Sequence, residues 1–307
     1  MRIVFMGTPE FALPSLKILL EHEYPIAAVV TAPDKPAGRG LQVSGSPVKT
    51  FAQERKLDIL QPEKLKEESF MASLRSLEPD LFVVVAFRIL PAEVFKIAKL
   101  GAFNLHASLL PKYRGAAPIN WAIIKGERET GVTSFFLQET VDTGTIILQA
   151  RVPIGENETA GELHDRLAEV GAEVVLHSVR LIESGKAVPK PQDDSLATPA
   201  PKILKDHTKI DWSKRAIEVH NLVRGLSPKP CAIAYHNQTL LKIYRTVVAK
   251  VNGAGAPGEI LNAGDLLRVS TGDGVVEITE IQQEGKRKMA AGEFLRGYRL
   301  PVGDKLQ

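Results

Sequence analysis

The chain has 307 residues, too many for one compact core, and two domains are the first expectation. Hydrophobic residues make up 44% and charged residues 24%, a balance that excludes long disorder, while a net charge of +3 is too small to announce a nucleic-acid binder by itself. One cysteine, Cys231, excludes an internal disulfide framework and a cysteine-based zinc site, and reads as a small buried side chain.

The opening MRIVFMGTPEF holds only a short apolar run before a turn, too short for a signal-peptide core or a membrane span, so a cytoplasmic protein is expected. Residues 2–6 predict a buried strand, Gly7 a turn, and Thr8 and Pro9 the cap and first residue of a helix continuing over 12–21. Further strands are predicted at 26–31, 81–86, 102–106, 133–138 and 145–151, with helices at 62–77, 91–97 and 116–124 between several of them. That alternation predicts an α/β, Rossmann-like domain with a mostly parallel sheet covered by helices, closed by a long amphipathic helix over 160–184. The proline-punctuated stretch 189–205 then reads as an extended linker. Beyond it a helix over 212–225 precedes short apolar runs at 232–235, 240–244, 258–261, 266–270 and 274–281, the spacing of a small barrel or sandwich. The predicted domains are therefore 1–188 and 206–307. From Asp206 onward there are 15 Lys and Arg against 11 Asp and Glu, leaving 24 against 25 before it, so the basic excess lies in the second domain.

Three segments carry candidate chemistry. Gly7-Thr8-Pro9 follows the first strand, where a dinucleotide fold places its phosphate loop, but the G-x-G-x-x-G fingerprint is absent and Thr31-Ala32-Pro33 stands where an acidic residue would end the second strand. A nicotinamide cofactor is not expected. In NLHASLLPKYRGAAPI, residues 104–119, Asn104 and His106 lie two apart at a strand end and so share a face beside the ligand crevice of an open sheet. An amide and an imidazole there suit a developing oxyanion and a proton transfer, and the loop Ser108, Leu109, Leu110, Pro111 offers backbone groups to a flat heterocycle. A histidine at a strand end is also an ordinary structural residue. Asp142, in the turn ETVDTG of residues 139–144, is by itself turn chemistry; beside His106 it becomes a candidate to orient the imidazole and accept a proton. The seven histidines show no metal-ligand spacing, and Ser108 has no nucleophile-elbow context.

NLHASLLPKYRGAAPI together with ETVDTG closely resembles the signature of folate-dependent formyltransferases, and the likeness runs from MRIVFMGTPEF into the final barrel. The resemblance implies a Rossmann-like catalytic domain joined to an OB-like β-barrel, 10-formyltetrahydrofolate as formyl donor with no metal, and Asn104, His106 and Asp142 as the catalytic trio. It also implies that Ser108, Leu109, Leu110 and Pro111, with Phe87, Arg88, Ile89 and Leu90, line the reduced-folate site.

Residues 33–40, PDKPAGRG, resemble the loop with which the tRNA branch of the family enters the acceptor stem, which implies methionyl initiator tRNA as acceptor and makes Arg39 the expected RNA contact. The basic barrel is suited to phosphates along the tRNA backbone. A monomer is expected. Three features depart from the family's commoner pattern: the segment 85–91 is one residue short, Lys229 stands where tryptophan is usual, and residues 41–46 carry no charge. The alternatives are formylation of a small amine, an amino-sugar nucleotide or glycinamide ribonucleotide, and an RNA-binding module without activity. The GRG loop and second domain disfavour the first, and retention of Asn104, His106 and Asp142 disfavours the second.

Overall fold

The computed structural model describes residues 1–37, 42–250 and 255–307. The chain divides into two compact units, Met1–Gly115 with Gly131–Val152 and His164–Pro199, and Ala116–Thr130 with Pro153–Leu163 and Ala200–Gln307.

The first unit grows from β1 (Ile3–Gly7), buried at every position because it is apolar on both faces. Gly7 has no room for a side chain: a Cβ there would stand 2.8 Å from that of Ala12. A short 3-10 turn leads from β1 into α1 (Leu13–Glu21). Thr8 does not cap it as predicted. Pro9 takes the cap position, and the Thr8 hydroxyl instead accepts the Ala32 backbone N–H at 3.3 Å. After β2 (Ile26–Val30) come three elements absent from the sequence reading: a two-stranded ribbon of β3 (Lys35–Ala37) and β4 (Gln42–Ser44), helix α2 (Pro47–Glu54) capped by Ser46, and the edge strand β5 (Ile59–Leu60). The helix expected from residue 62 begins only at α3 (Glu68–Ser76), because the carbonyls of Pro62 and Glu63 are taken by the Arg88 guanidinium instead of by helical N–H groups. Then follow β6 (Leu81–Val85), α4 (Ala92–Phe95), β7 (Ala102–His106), α5 (Pro118–Ile124), β8 (Glu129–Phe136), β9 (Ile146–Pro153) and α6 (Ala160–Glu183).

The seven strands order as β5-β2-β1-β6-β7-β8-β9, parallel as far as β7, with β8 antiparallel to it. The chain moves outward from β1 through β2 to β5, then returns to the other side of β1 at β6. This reversal leaves a crevice beyond the carboxyl ends of the central strands, where the loops following β6 and β7 emerge. Helix α6 packs tightly enough that a Cβ on Gly171 would stand 2.6 Å from Leu105, and Ser178 hydrogen-bonds Ser134 at 2.7 Å.

Helix α5, expected among the helices of the first domain, groups with the second unit. Its Asn120 amide donates to the Gly225 carbonyl of α7 (Ala216–Leu226) at 2.7 Å. The remaining elements are β10 (Ala232–His236), β11 (Thr239–Val248), β12 (Ile260–Ala263), β13 (Leu267–Ser270), β14 (Val275–Gln283), β15 (Met289–Ala290) and α8 (Ala291–Gly297). Five strands pair antiparallel in the order β10-β11-β14-β13-β12, and β15 adds to β14, giving the curled, OB-like half-barrel. Trp212, Val223, Ile243, Leu267, Ile278 and Phe294 fill its core. On α7, buried Arg224 donates to the carbonyls of Gly155 and Glu158, and His220 bonds the Glu156 carbonyl and the Thr246 hydroxyl. Burial pushes the His220 imidazole below its usual range. It also raises the Cys231 thiol to about 12, so this cysteine is an inert core residue.

Candidate active site

The sequence places Asn104 and His106 at the end of β7, and the sheet fixes both through main-chain pairing, Asn104 opposite Val84 and Phe135, His106 opposite Thr133. His106 is buried. Its Nε2 lies 2.8 Å from the Tyr113 carbonyl, which can only accept, so that nitrogen carries the hydrogen and Nδ1 is the atom turned toward Asp142. The Nδ1 to Oδ2 separation is 3.8 Å, too long for a hydrogen bond but close enough for a charged imidazole and carboxylate to attract. The ring is thus oriented by Tyr113 and not, as expected from sequence, by Asp142.

Asp142 belongs to the loop between β8 and β9 and adopts the left-handed conformation, φ 57°, that Asp tolerates better than most residues. Its Oδ2 accepts the Gly115 N–H at 2.9 Å. Gly144 closes the same turn where a Cβ would stand 1.6 Å from the Phe136 carbonyl, so the turn needs glycine there. Residues 113–115 therefore serve both candidates at once: the carbonyl of Tyr113 holds the imidazole and the N–H of Gly115 holds the carboxylate.

A small cleft of about 90 Å³ opens beside this pair, lined by Val84, Phe87, Arg88, Ile89, Leu90, Asn104, Leu137, Val141 and Asp142 among others. It lies beside β6 and β7, between the loops that follow β6 and β8. Asn104 lines it, and among the described residues its side-chain amide has no protein partner. Leu90 is anchored in the apolar core and Phe87 packs against the same cluster, while Ile89 is 72% exposed. Arg88 folds back on residues 62 and 63, leaving its Nε buried and, among the described residues, without a partner. An apolar wall with a lining amide suits a flat, partly polar group.

Ser108, Leu109, Leu110 and Pro111 do not line this cleft. Their loop is closed by its own bonds: Ser108 Oγ donates to the Lys112 carbonyl at 2.6 Å, and the Thr133 hydroxyl donates to the Ser108 carbonyl at 2.6 Å while accepting the Leu110 N–H at 3.1 Å. Gln149 adds bonds to Thr133 and to the Leu110 carbonyl. Tyr113, Gly115, Thr133 and Gln149 were not singled out from sequence. The first two act through backbone atoms, which side-chain chemistry does not announce, and the last two sit on strands as ordinary polar residues.

Arg39 lies outside the described residues, in the chain between β3 and β4. The base of that ribbon is pinned by Asp34, which pairs with Lys49 and accepts from Gln61 at 2.8 Å. The Lys49 ammonium, and then the Gln61 amide, hold the Asp34 carboxyl below its usual range. Among the described residues no group of three or more His, Cys, Asp or Glu is placed to hold a metal, and no helix is long and apolar enough to cross a membrane.

Residues 1–179 match the family model described as formyl transferase, and residues 202–299 match that of the formyl transferase C-terminal domain. The methionyl-tRNA formyltransferase of Caldanaerobacter subterraneus subsp. tengcongensis is 47% identical over 309 residues, covering 100% of both chains. That of Porphyromonas gingivalis is 49% identical over 311 residues, covering 98% of this chain and 96% of its own. Among solved structures, a sugar 3N-formyl transferase crystallised with dTDP and 5-N-formyl-THF shares the fold at a TM-score of 0.70 and 23% identity, over 94% of this chain and 99% of that one. HypX from Aquifex aeolicus in complex with tetrahydrofolic acid does so at 0.66 and 22%, over 99% of this chain and 50% of that one. With both of its parts matched by the family models and its whole length by these relatives, the chain belongs to the formyl transferase family, among the methionyl-tRNA formyltransferases.

Proposed function

We infer that the chain moves the formyl group of 10-formyltetrahydrofolate onto the α-amino group of methionyl initiator tRNA, giving N-formylmethionyl-tRNA for translation initiation in the cytoplasm. The observation that carries this reading is the convergence of Asn104, His106 and Asp142 beside the cleft, in a chain whose full-length relatives are methionyl-tRNA formyltransferases.

The donor supplies an activated formyl carbon, and the neutral amine attacks it directly. Asn104 donates its amide hydrogen to the formyl oxygen as negative charge develops there. His106, its Nε2–H held by Tyr113, acts through Nδ1, which when protonated adds positive charge next to that oxygen. Asp142 has one carboxylate oxygen fixed by Gly115, and its other oxygen takes the proton that the amine loses as the new N–C bond forms. The proton passes, directly or through water, to the folate nitrogen as the old C–N bond breaks. No covalent enzyme intermediate is needed, and the Ser108 hydroxyl is committed to Lys112. Phe87, Arg88, Ile89 and Leu90 form the pterin side of the folate site. Arg39 and the basic barrel hold the RNA.

The test is incubation with labelled 10-formyltetrahydrofolate and competing acceptors: charged initiator tRNA, free methionine and an amino-sugar nucleotide. Label should appear on the methionyl group of the tRNA. Preference for either small molecule would transfer the same chemistry to a small-amine acceptor.

A further inference from the structure

Gln192 lies outside every motif, 50 residues beyond Asp142, in the proline-punctuated stretch that reads from sequence as a linker. Its side chain is nevertheless fully used at the proposed catalytic turn. The Nε2 amide donates to the Asp142 carbonyl at 2.8 Å and to the Gly144 carbonyl at 2.8 Å, so both of its hydrogens are taken. Its Oε1 accepts from Arg114 Nε at 3.1 Å and from Nη2 at 2.7 Å. The amide can point only one way, since a guanidinium only donates and a carbonyl only accepts. Arg114 is itself held: Nη2 pairs with Asp194 at 2.6 Å, and its backbone N–H donates to the Thr198 carbonyl at 2.9 Å.

Arg114 stands between the two residues whose backbones grip the candidate groups, Tyr113 on His106 and Gly115 on Asp142. The network therefore closes on itself. One end of Arg114 sets the peptide groups that face the imidazole and the carboxylate, and the other end, through Gln192, fixes the main chain of Asp142, which sits in a left-handed conformation. We propose that Gln192, with Arg114, is a positioning residue of the formyl transfer, bracing the Asp142 turn so that its carboxylate stays in register with His106. A displacement of about 1 Å at such a site costs on the order of 100-fold in rate. The inference rests on the catalytic reading of Asp142.

Gln192→Glu separates the two halves of the brace. The carboxylate keeps Arg114, but it presents acceptors in place of donors to the carbonyls of Asp142 and Gly144. Expected is a fall in kcat of at least about 10-fold, with KM for donor and for charged tRNA changed less than about 3-fold and the melting temperature retained. Gln192→Asn, a neutral amide one methylene too short, should show the same split and serves if the glutamate variant folds poorly. Because Gln192 is proposed to act only through Asp142, the double variant Asp142→Asn/Gln192→Glu should be no slower than Asp142→Asn alone, whereas an unrelated structural defect would multiply. Wild-type turnover in both Gln192 variants, a loss confined to KM, or multiplying losses would overturn the brace while leaving the role of Asp142 intact. Full activity of Asp142→Asn would instead remove the catalytic reading itself, and the brace with it.

Discussion

At the scale of single residues the proposed site divides into groups assigned to the substrate and groups that hold them. Asp142→Asn keeps the left-handed turn, which Asn also tolerates, and keeps an oxygen for the Gly115 N–H, but it removes the proton acceptor. The expected outcome is a folded protein, by circular dichroism, with kcat lowered about 100-fold or more. Asn104→Ala and His106→Ala are proposed to remove interactions with charge that develops only in the transition state. Each should lower the single-turnover rate about 100-fold while equilibrium binding of the folate changes little. Collapse of binding with the bound-state rate preserved would make them ligand-positioning groups and defeat the mechanism.

At the scale of elements, two connections are tested by stability. The loop after β7 is tied to β8 by the Thr133 hydroxyl, which serves Ser108, Leu110 and Gln149 together. Thr133→Val preserves shape but leaves a buried carbonyl and a buried N–H unsatisfied, and should cost about 2 to 3 kcal/mol in urea unfolding. Helix α7 carries His220, held neutral by burial between Glu156 and Thr246. A histidine whose folded pKa is depressed is protonated first in the unfolded chain, so stability is unaffected above about pH 6.5 and falls as the pH drops below it. Its contribution to that slope is at most about 1.4 kcal/mol per pH unit. Unfolding midpoints between pH 7.5 and 5 should decline less steeply in His220→Gln than in the parent; equal slopes would assign the acid sensitivity elsewhere.

At the scale of the whole molecule, the acceptor decides what the basic surface is for. If the acceptor is tRNA, affinity rests on phosphate neutralisation, and the KM for charged tRNA should rise about tenfold or more between about 50 and 200 mM salt, with the donor KM nearly flat. Arg39→Ala should raise the tRNA KM roughly tenfold, in line with loss of one or two phosphate contacts, and reduce the salt slope by about one. Insensitivity of tRNA formylation to both changes would shift the reading toward a small amine while retaining the folate chemistry.

Much of this was legible in the residues alone. Apolar runs of strand length fixed β1 and β6 to within a residue, because strands buried on both faces are near-continuously hydrophobic. The two-residue spacing of Asn104 and His106 put them at one strand end, and the family likeness of NLHASLLPKYRGAAPI and ETVDTG joined Asp142 to them. The ribbon, α2, β5 and α8 were missed, since such short elements carry no period to read. Only the tertiary structure decided what holds the site together. The carbonyl of Tyr113, the N–H of Gly115 and the amide of Gln192 act through backbone groups or across 50 residues of chain, and contacts of that kind arise from folding and not from local pattern. The same holds for α5, which lies between first-domain strands in sequence yet belongs to the barrel's unit, because the Asn120 bond to Gly225 and the contact of Gly225 with Ile124 form only when distant helices meet.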